Sequence, residues 1–293
     1  MPNLKEIRVR IASVNTTKQI TSAMKMVSAA KLKRAQDAII QMRPYASKLK
    51  EILADISASL DVADDNMFSK VRPIEKVLIV LVSSNRGMCG AFNANVAKRA
   101  IEIAQTKYEK QLTNGNVHFL TIGKKGQEYL KARKYSIVDT QNQVYDKLQF
   151  ENVIPVAESI MLKFANGEYD VIEVAYNQFK NAAVQNLTDE QFLPVQTNKD
   201  KTKGNIKNDY IYEPSKEYIV QELIPKMLKI QLFKAILDSY ASEQGARMTA
   251  MHKATDNAVE MIRSLTLNYN KARQAAITNQ ILEVVGGAEA LKG

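Results

Sequence analysis

A chain of 293 residues is long enough for one or two domains with ordinary cores, and its hydrophobic content of 45% is ordinary for a soluble protein. No apolar run approaches the roughly 20 residues of a membrane-spanning helix, and a single cysteine, Cys89, excludes an internal disulfide or a cysteine-based metal cluster. The net charge of +10 sits mostly at the start, where residues 1–50 hold eleven Lys/Arg against Glu6 and Asp37, a net of +9; this is either a solvated helix face or a surface for an acidic partner such as nucleic acid, an anionic membrane or acidic protein.

The first stretch, 3–58, reads as helix. The opening MPNLKEIRVR has neither the apolar core nor the cleavage site of a signal peptide, so the chain is expected to stay in a reducing, bacterial-type cytoplasm. Asn3 suits an N-cap, and Leu4, Ile7, Ile11 and Val14 follow a 3–4 spacing. The spacing predicts that the seam then drifts to Ile20, Met24, Val27 and Ala30, with a kink or break at Pro44.

The middle changes character. KVLIVLVSS (76–84) is a continuous β-branched run, the mark of a strand buried on both faces. A Gly-bearing loop and a helix over 93–111 follow. VHFLTIG (117–123) predicts a strand, 124–133 a helix, 136–140 a short strand and 151–166 a helix. DVIEVAYNQF (170–179) and 187–196 complete the strands. Strands alternating with helices predict a Rossmann-like α/β sheet with crossovers. The polar tract TNKDKTKGNIKND (197–209) reads as a loop or linker.

From Pro214 to Leu291 the pattern is helical again, with a kink or restart expected at Pro225. Leu237, Ala241, Gln244, Met248, Met251, Thr255, Ala258, Ile262, Leu265, Tyr269, Ala272 and Ala276 form a heptad seam, thin in bulk and partly polar. At 1.5 Å per residue such a helix would span roughly 115 Å, too long for a compact domain. The two ends are therefore expected to pair as a long antiparallel coiled coil around a central α/β domain. The boundaries follow: 1–58 and 210–293 for the coiled coil, 70–209 for the α/β domain.

Catalytic signatures are sparse. The loop SSNRGMCGAFN (83–93) stands where an α/β sheet would bind phosphate, but the spacing Gly87-x-x-Gly90 fits neither phosphate-loop pattern. It reads as a tight strand-to-helix turn. His118 and His252 each read as a core or surface histidine rather than a metal pair, and Asp64 and Asp65 as solvated carboxylates. No nucleophile–base constellation stands out.

Several blocks carry a resemblance. TTKQITSAMKMVSAAKLKRAQ (16–36), SSNRGMCGAFN (83–93), DYIYEP (209–214), ASEQGARMTAMHKATDNA (241–258) and YNKARQAAITNQILEVVGGAEA (269–290) together resemble the gamma subunits of F-type ATP synthases, in the family's order and across nearly the whole chain. Gln280 departs from that pattern, standing where the family usually has Glu. The cysteine-bearing insert of the chloroplast type is missing, so thiol control is not expected.

The resemblance implies a rotor shaft on the cytoplasmic face of a bacterial inner membrane, one copy per complex, with no catalytic site or cofactor of its own. Its partners would be the alpha and beta subunits of the catalytic head, an epsilon subunit and a ring of c subunits, and not nucleic acid. Arg273, Gln274 and Thr278 match positions where the final helix meets a beta subunit. Met24 and Arg247 match others along the coiled coil that affect coupling. Tyr210, Tyr212 and Glu213 match the segment that touches the c ring. Two other classes compete with this reading. A nucleic-acid-binding scaffold would use the basic first helix, which lacks interleaved aromatics. A nucleotide-binding enzyme would need the missing phosphate loop.

Overall fold

The run VLIVLV becomes β1 (Val77–Val82), the centre of a five-stranded sheet. The structure, a computed structural model, describes residues 4–58, 67–195 and 216–290. Asn3, the Asp64–Asp65 pair, the linker over 197–209 and the expected c-ring segment at Tyr210, Tyr212 and Glu213 lie outside the described residues. By its contacts the chain divides into two units: Met1–Ser28 with Arg247–Gly293, and Ala29–Ala246.

The larger unit holds the sheet. After β1 come α2 (Phe92–Thr106), α3 (Glu109–Thr113), β2 (Val117–Ile122), α4 (Lys124–Lys131), β3 (Ile137–Thr140), a 3-10 turn (Asn142–Tyr145) and α5 (Phe150–Ala165). The hairpin of β4 (Val171–Phe179) and β5 (Gln185–Leu193) follows. The order is β3-β2-β1-β4-β5; β5 runs antiparallel and the other neighbours are parallel. Every residue of β1 is fully buried, because its alternate side chains enter two cores. Leu78, Val80 and Val82 meet α5 and the start of the last helix, α6 (Lys216–Ala290), through Ile160, Phe164, Leu228 and Leu232. Val77, Ile79 and Leu81 meet α2 and α4 through Val96, Ala100, Ile103 and Leu130. A helical layer on each face is what a continuous apolar strand requires.

The predicted helix over 93–111 is broken in two. Tyr108, between α2 and α3, turns inward and donates to Glu173 on β4 at 2.7 Å. Glu173 is 3% exposed and also accepts from Lys107 Nζ at 3.1 Å. Lys107 reaches on to Asp189 on β5 (2.9 Å), which Arg99 grips through two nitrogens at 2.7 and 3.1 Å. A buried carboxylate is costly unless paired and hydrogen-bonded, and satisfying this one sets where α2 stops.

The smaller unit contains residues 4–28 of the first helix, α1 (Leu4–Ala58), and the end of α6. No glycine precedes Gly87, so no glycine weakens α1. The two segments run antiparallel: Thr21 Oγ1 lies 2.8 Å from Thr255 Oγ1, while Ile7 and Arg10 share a groove with Leu265 and Ala272. The α6 seam holds as predicted, with Met251 and Ala258 buried and Thr255, Ile262, Leu265, Tyr269, Ala272 and Ala276 half-buried among exposed neighbours. The α1 seam differs beyond Val14. Ile20, Val27 and Ala30 face outward, and the buried line passes through Thr21 and Ser28 instead. Small side chains allow closer approach, and the hydroxyls of Thr21 and Thr255 satisfy each other there. Of the kink or break expected at Pro44 and the kink or restart expected at Pro225, no break is seen: α1 continues through Pro44 and α6 through Pro225. A proline costs a helix about 3 kcal/mol, and the buried Leu32, Ile39 and Leu49 around Pro44, like Ile224 and Leu228 around Pro225, offset it.

The carboxylate network makes stability pH-dependent. Burial pushes the Asp189 carboxyl up, but hydrogen bonds from Arg99 and Lys107 outweigh it and hold the group below its ordinary value. A carboxyl depressed in the folded state stabilises above its unfolded pKa of about 3.9 and loses that contribution as pH falls through the lower folded value. Asp189→Asn is expected to flatten the acid limb of a stability–pH profile measured by chemical denaturation. Tyr108→Phe, which removes one buried bond to a charged acceptor, is expected to lower stability by about 1.5–3 kcal/mol at neutral pH.

Candidate functional site

The sheet's carboxyl edge, where strand order reverses between β1 and β4, is where open α/β folds hold ligands. Here protein fills the position. Ser83 Oγ accepts the Gly126 N–H at 2.8 Å and donates to the Gly123 carbonyl at 3.1 Å. Gly123 has φ 109°, and a Cβ there would lie 2.3 Å from the Ser83 carbonyl oxygen, so only glycine permits this closure. Asn93, on the first turn of α2, accepts the Ser84 N–H (2.9 Å) and donates to Ser84 Oγ (2.8 Å). Asn85 accepts the Lys124 N–H (3.0 Å) and donates to the Asn142 carbonyl (2.9 Å). Cys89 is buried, with the Asn93 amide 3.2 Å from its sulfur. The side chains of Ser83, Ser84, Asn85 and Asn93 thus bond to neighbouring protein atoms and tie the loop down.

Of the two histidines, His118 is half-buried and His252 exposed. His118 on β2 packs edge-on to Tyr169, its Nδ1 3.1 Å from the phenol oxygen. Burial, and then the charge of Lys76, lower its pKa and favour the neutral ring. His252 is exposed on α6, 3.4 Å from Asp256.

The residues singled out on the long helices fall into separate places. Arg273, Gln274 and Thr278 are all exposed within two turns of α6, and Thr278 Oγ1 donates back to the Gln274 carbonyl at 2.9 Å. Met24 is half-buried one turn beyond Thr21. From Thr255, the partner of Thr21, to Arg273 the helix rises about 27 Å, so Met24 and Arg273 serve different levels. Arg247 is buried at 7% exposure. Around Arg273 the alanines face inward: Ala272 and Ala275, with Ile7, Arg10, Leu265 and Lys271, line a groove of about 560 Å³.

Sequence reasoning missed where the bulk goes. The seam ends at Ala276, and every described residue from Ile277 to Ala290 is exposed. Ile277, Ile281, Leu282, Val284 and Val285 are among them, at 48, 57, 62, 72 and 49% exposure. Gly286 and Gly287 do not end the helix, which runs on to Ala290. The signal was present, since these apolar residues recur at helical spacing after the alanines have taken the seam. A run of apolar side chains with no partner among the described residues marks an interaction surface. Among the described residues no helix is long and apolar enough to cross a membrane.

A family profile described as ATP synthase matches residues 3–291. The ATP synthase gamma chain of Flavobacterium psychrophilum is 59% identical over 293 residues, covering the whole of both chains. At the level of fold, a chain in the cryo-EM structure of the Euglena gracilis mitochondrial ATP synthase (OSCP, F1 and c-ring, rotational state 3) superposes with a TM-score of 0.68 at 20% identity, over 98% of this chain and 94% of that one. A chain in the central stalk and c-ring structure of the Tetrahymena thermophila mitochondrial enzyme gives 0.60 at 23% identity, over 80% and 99%.

Because the spacing Gly87-x-x-Gly90 fits neither phosphate-loop pattern, the purified chain is expected to bind ATP no more tightly than millimolar in titration calorimetry. Micromolar binding that disappears in Arg86→Ala or Gly87→Ala would revive the nucleotide-binding reading.

Proposed function

As the chain belongs to the ATP synthase gamma chain family, we propose that it is the central rotor shaft of an F-type ATP synthase, coupling ion-driven rotation of a c ring to ATP synthesis and hydrolysis on beta subunits. It carries no catalytic site in this reading. It works as one copy per complex, with alpha and beta subunits around the shaft and an epsilon subunit and the c ring at the foot. The complex sits on the cytoplasmic face of a bacterial inner membrane, to which this chain is peripheral. Residues 1–58 and 210–293 form the shaft and 70–209 the foot.

The observation that carries the reading is the end of α6, where residues 277–290 are exposed and apolar side chains have no cover from the described residues of this chain. A sleeve of repeated subunits supplies that cover. Apolar attraction is non-directional and scales with area, so an apolar tip in such a sleeve keeps similar burial at every angle. A stripe fitted to one pocket would gain about 1.5–3 kcal/mol per large side chain there and would stall the shaft. Coupling needs the converse as well, because a rotor that met every beta state equally would shift none of them. Arg273 and Gln274 supply that asymmetry, with five guanidinium donors in a fixed fork on an exposed face. Arg247 is buried, so its influence on coupling runs through the packing of its own chain. The exposed cations of α1, among them Arg8, Lys31 and Arg34, suit acidic loops on beta subunits through salt-sensitive attraction.

Amide hydrogen exchange tests the sleeve directly. Residues 277–290 are expected to exchange fast in the isolated chain and far more slowly in the assembled complex; equal rates in both would remove the sleeve. Arg273→Ala and Gln274→Ala are expected to leave assembly intact and lower ATP-driven turnover, each losing charge-assisted contacts of about 1.5–3 kcal/mol. Met24→Lys adds a cation at a different level of the shaft and is expected to reduce proton pumping more than hydrolysis. Both activities are measured in membrane vesicles, and wild-type values in all three variants would reject these contact assignments. Cysteines at 210 or 212 are expected to crosslink to c-subunit loops, and labelling by solvent probes alone would move the foot elsewhere.

A further inference from the structure

Within the α/β unit, α6 is held in two different ways. Its earlier stretch is an ordinary apolar bore, with Ile224, Leu228, Leu232, Ala235 and Ile236 buried against the sheet and α5. Then the buried face turns polar: Asp238, Ser239, Ser242, Glu243 and Gln244 are all 6% exposed or less. Stability alone gives no reason for that change, since burying polar groups costs free energy unless each is bonded.

The polar stretch is gripped directionally. Ser242 Oγ, fully buried, donates to the Asn177 backbone carbonyl near the end of β4 at 3.0 Å. One turn on, Gly245 approaches the tip of the β4–β5 hairpin so closely that a Cβ would stand 3.0 Å from the Ala182 carbonyl oxygen and 3.2 Å from its Cα. On the other side Tyr240 stacks on Tyr145 of the 3-10 turn, with ring centroids 6.2 Å apart and planes at 28°. Two backbone points of one hairpin and one ring thus address α6 within two turns.

We propose that this collar fixes the angular setting of α6 about its own axis within the α/β domain, making Ser242 and Gly245 positioning residues for rotary coupling. The physical reason is the contrast between the two grips. Apolar burial depends on area and changes little when a helix turns by a few degrees. A hydrogen bond weakens steeply as its angle opens, and a backbone contact at a glycine leaves no side chain to yield. The bore holds the helix in, and the collar stops it turning. The proposal rests on the rotor reading, because angular setting matters only to a chain that transmits torque.

The test uses the assembled rotary complex with a bead on the α/β domain, attached through Ala132→Cys on its exposed surface; the native Cys89 is buried and does not compete. With the head stalled by a non-hydrolysable ATP analogue, angular fluctuations of the bead report torsional stiffness. Ser242→Ala is expected to increase the angular variance measurably, as the loss of a directional contact implies. It should also lower the protons pumped per ATP hydrolysed. Ser242→Thr, which keeps the donor, should restore both. Gly245→Val should broaden the distribution further in whatever complex assembles. Leu232→Ala removes apolar bulk but no directional contact, and should lower the melting temperature without broadening. Wild-type variance in Ser242→Ala, or equal broadening in Leu232→Ala, overturns the collar. If the bead on the wild-type complex shows no ATP-driven rotation at all, the rotor reading itself falls instead.

Discussion

One uninterrupted helix, α6, has to satisfy different surroundings along its length, and the rest of the chain is arranged around that constraint. From Ile224 to Ile236 it is a core element, each buried Leu or Ile contributing about 1.5–3 kcal/mol relative to exposure, and α5 and the sheet supply the matching surface. From Asp238 to Gly245 its buried face is polar, and the β4–β5 hairpin supplies carbonyls at Asn177 and Ala182. From Met251 to Ala276 it keeps only a narrow seam, which α1 meets with Thr21 at Thr255 and with the buried Ile7 beside Leu265 and Ala272. Beyond Ala276 no described part of the chain covers it.

The composition of each stretch follows from what it touches. A core stretch can be apolar on a broad arc. A seam between two helices needs few and small side chains, because bulk would hold the helices apart, and Thr21–Thr255 shows a polar pair doing the same job without leaving a hydroxyl unsatisfied. The apolar residues left over, such as Ile20 and Val27 on α1 and Leu282 and Val284 on α6, then face outward. Their exposure is the complement of the thin seam.

These relations explain what could be read in advance. β1 and β2 were legible because burial on two faces demands a continuous β-branched run. The α6 seam was legible because one 3–4 spacing held over many turns. The α1 seam was not, because Thr21 and Ser28 score as polar and Ile20 and Val27 as apolar, while a close helix contact selects for size before hydrophobicity. The stop of α2 was hidden for a related reason, since it depends on Glu173, Lys107 and Asp189, which come from three elements far apart in sequence. Neither proline breaks its helix, because local propensity at Pro44 and Pro225 is outweighed by packing on either side. Among the site residues, Arg273, Gln274 and Thr278 could be located on an exposed face, but neither spacing nor composition distinguishes a contact from a solvated charge. The polar collar left no sequence signature, because Ser242 and Glu243 in a helix read as surface.

A shaft that carries torque needs opposite kinds of contact at different places. Where it turns against its surroundings, a directional bond would make one angle far more stable than the next, so the working surface should be apolar with only a few charge-assisted contacts to mark orientation. Where it is joined to the domain that drives it, non-directional packing would let it slip, so the joint should be polar, buried and backbone-tight. α6 has the first character beyond Ala276 and the second between Asp238 and Gly245. That ordering is difficult to account for by stability alone, since an apolar collar and a polar tip would fold at least as well. It fits the proposed transmission of rotation along one helix.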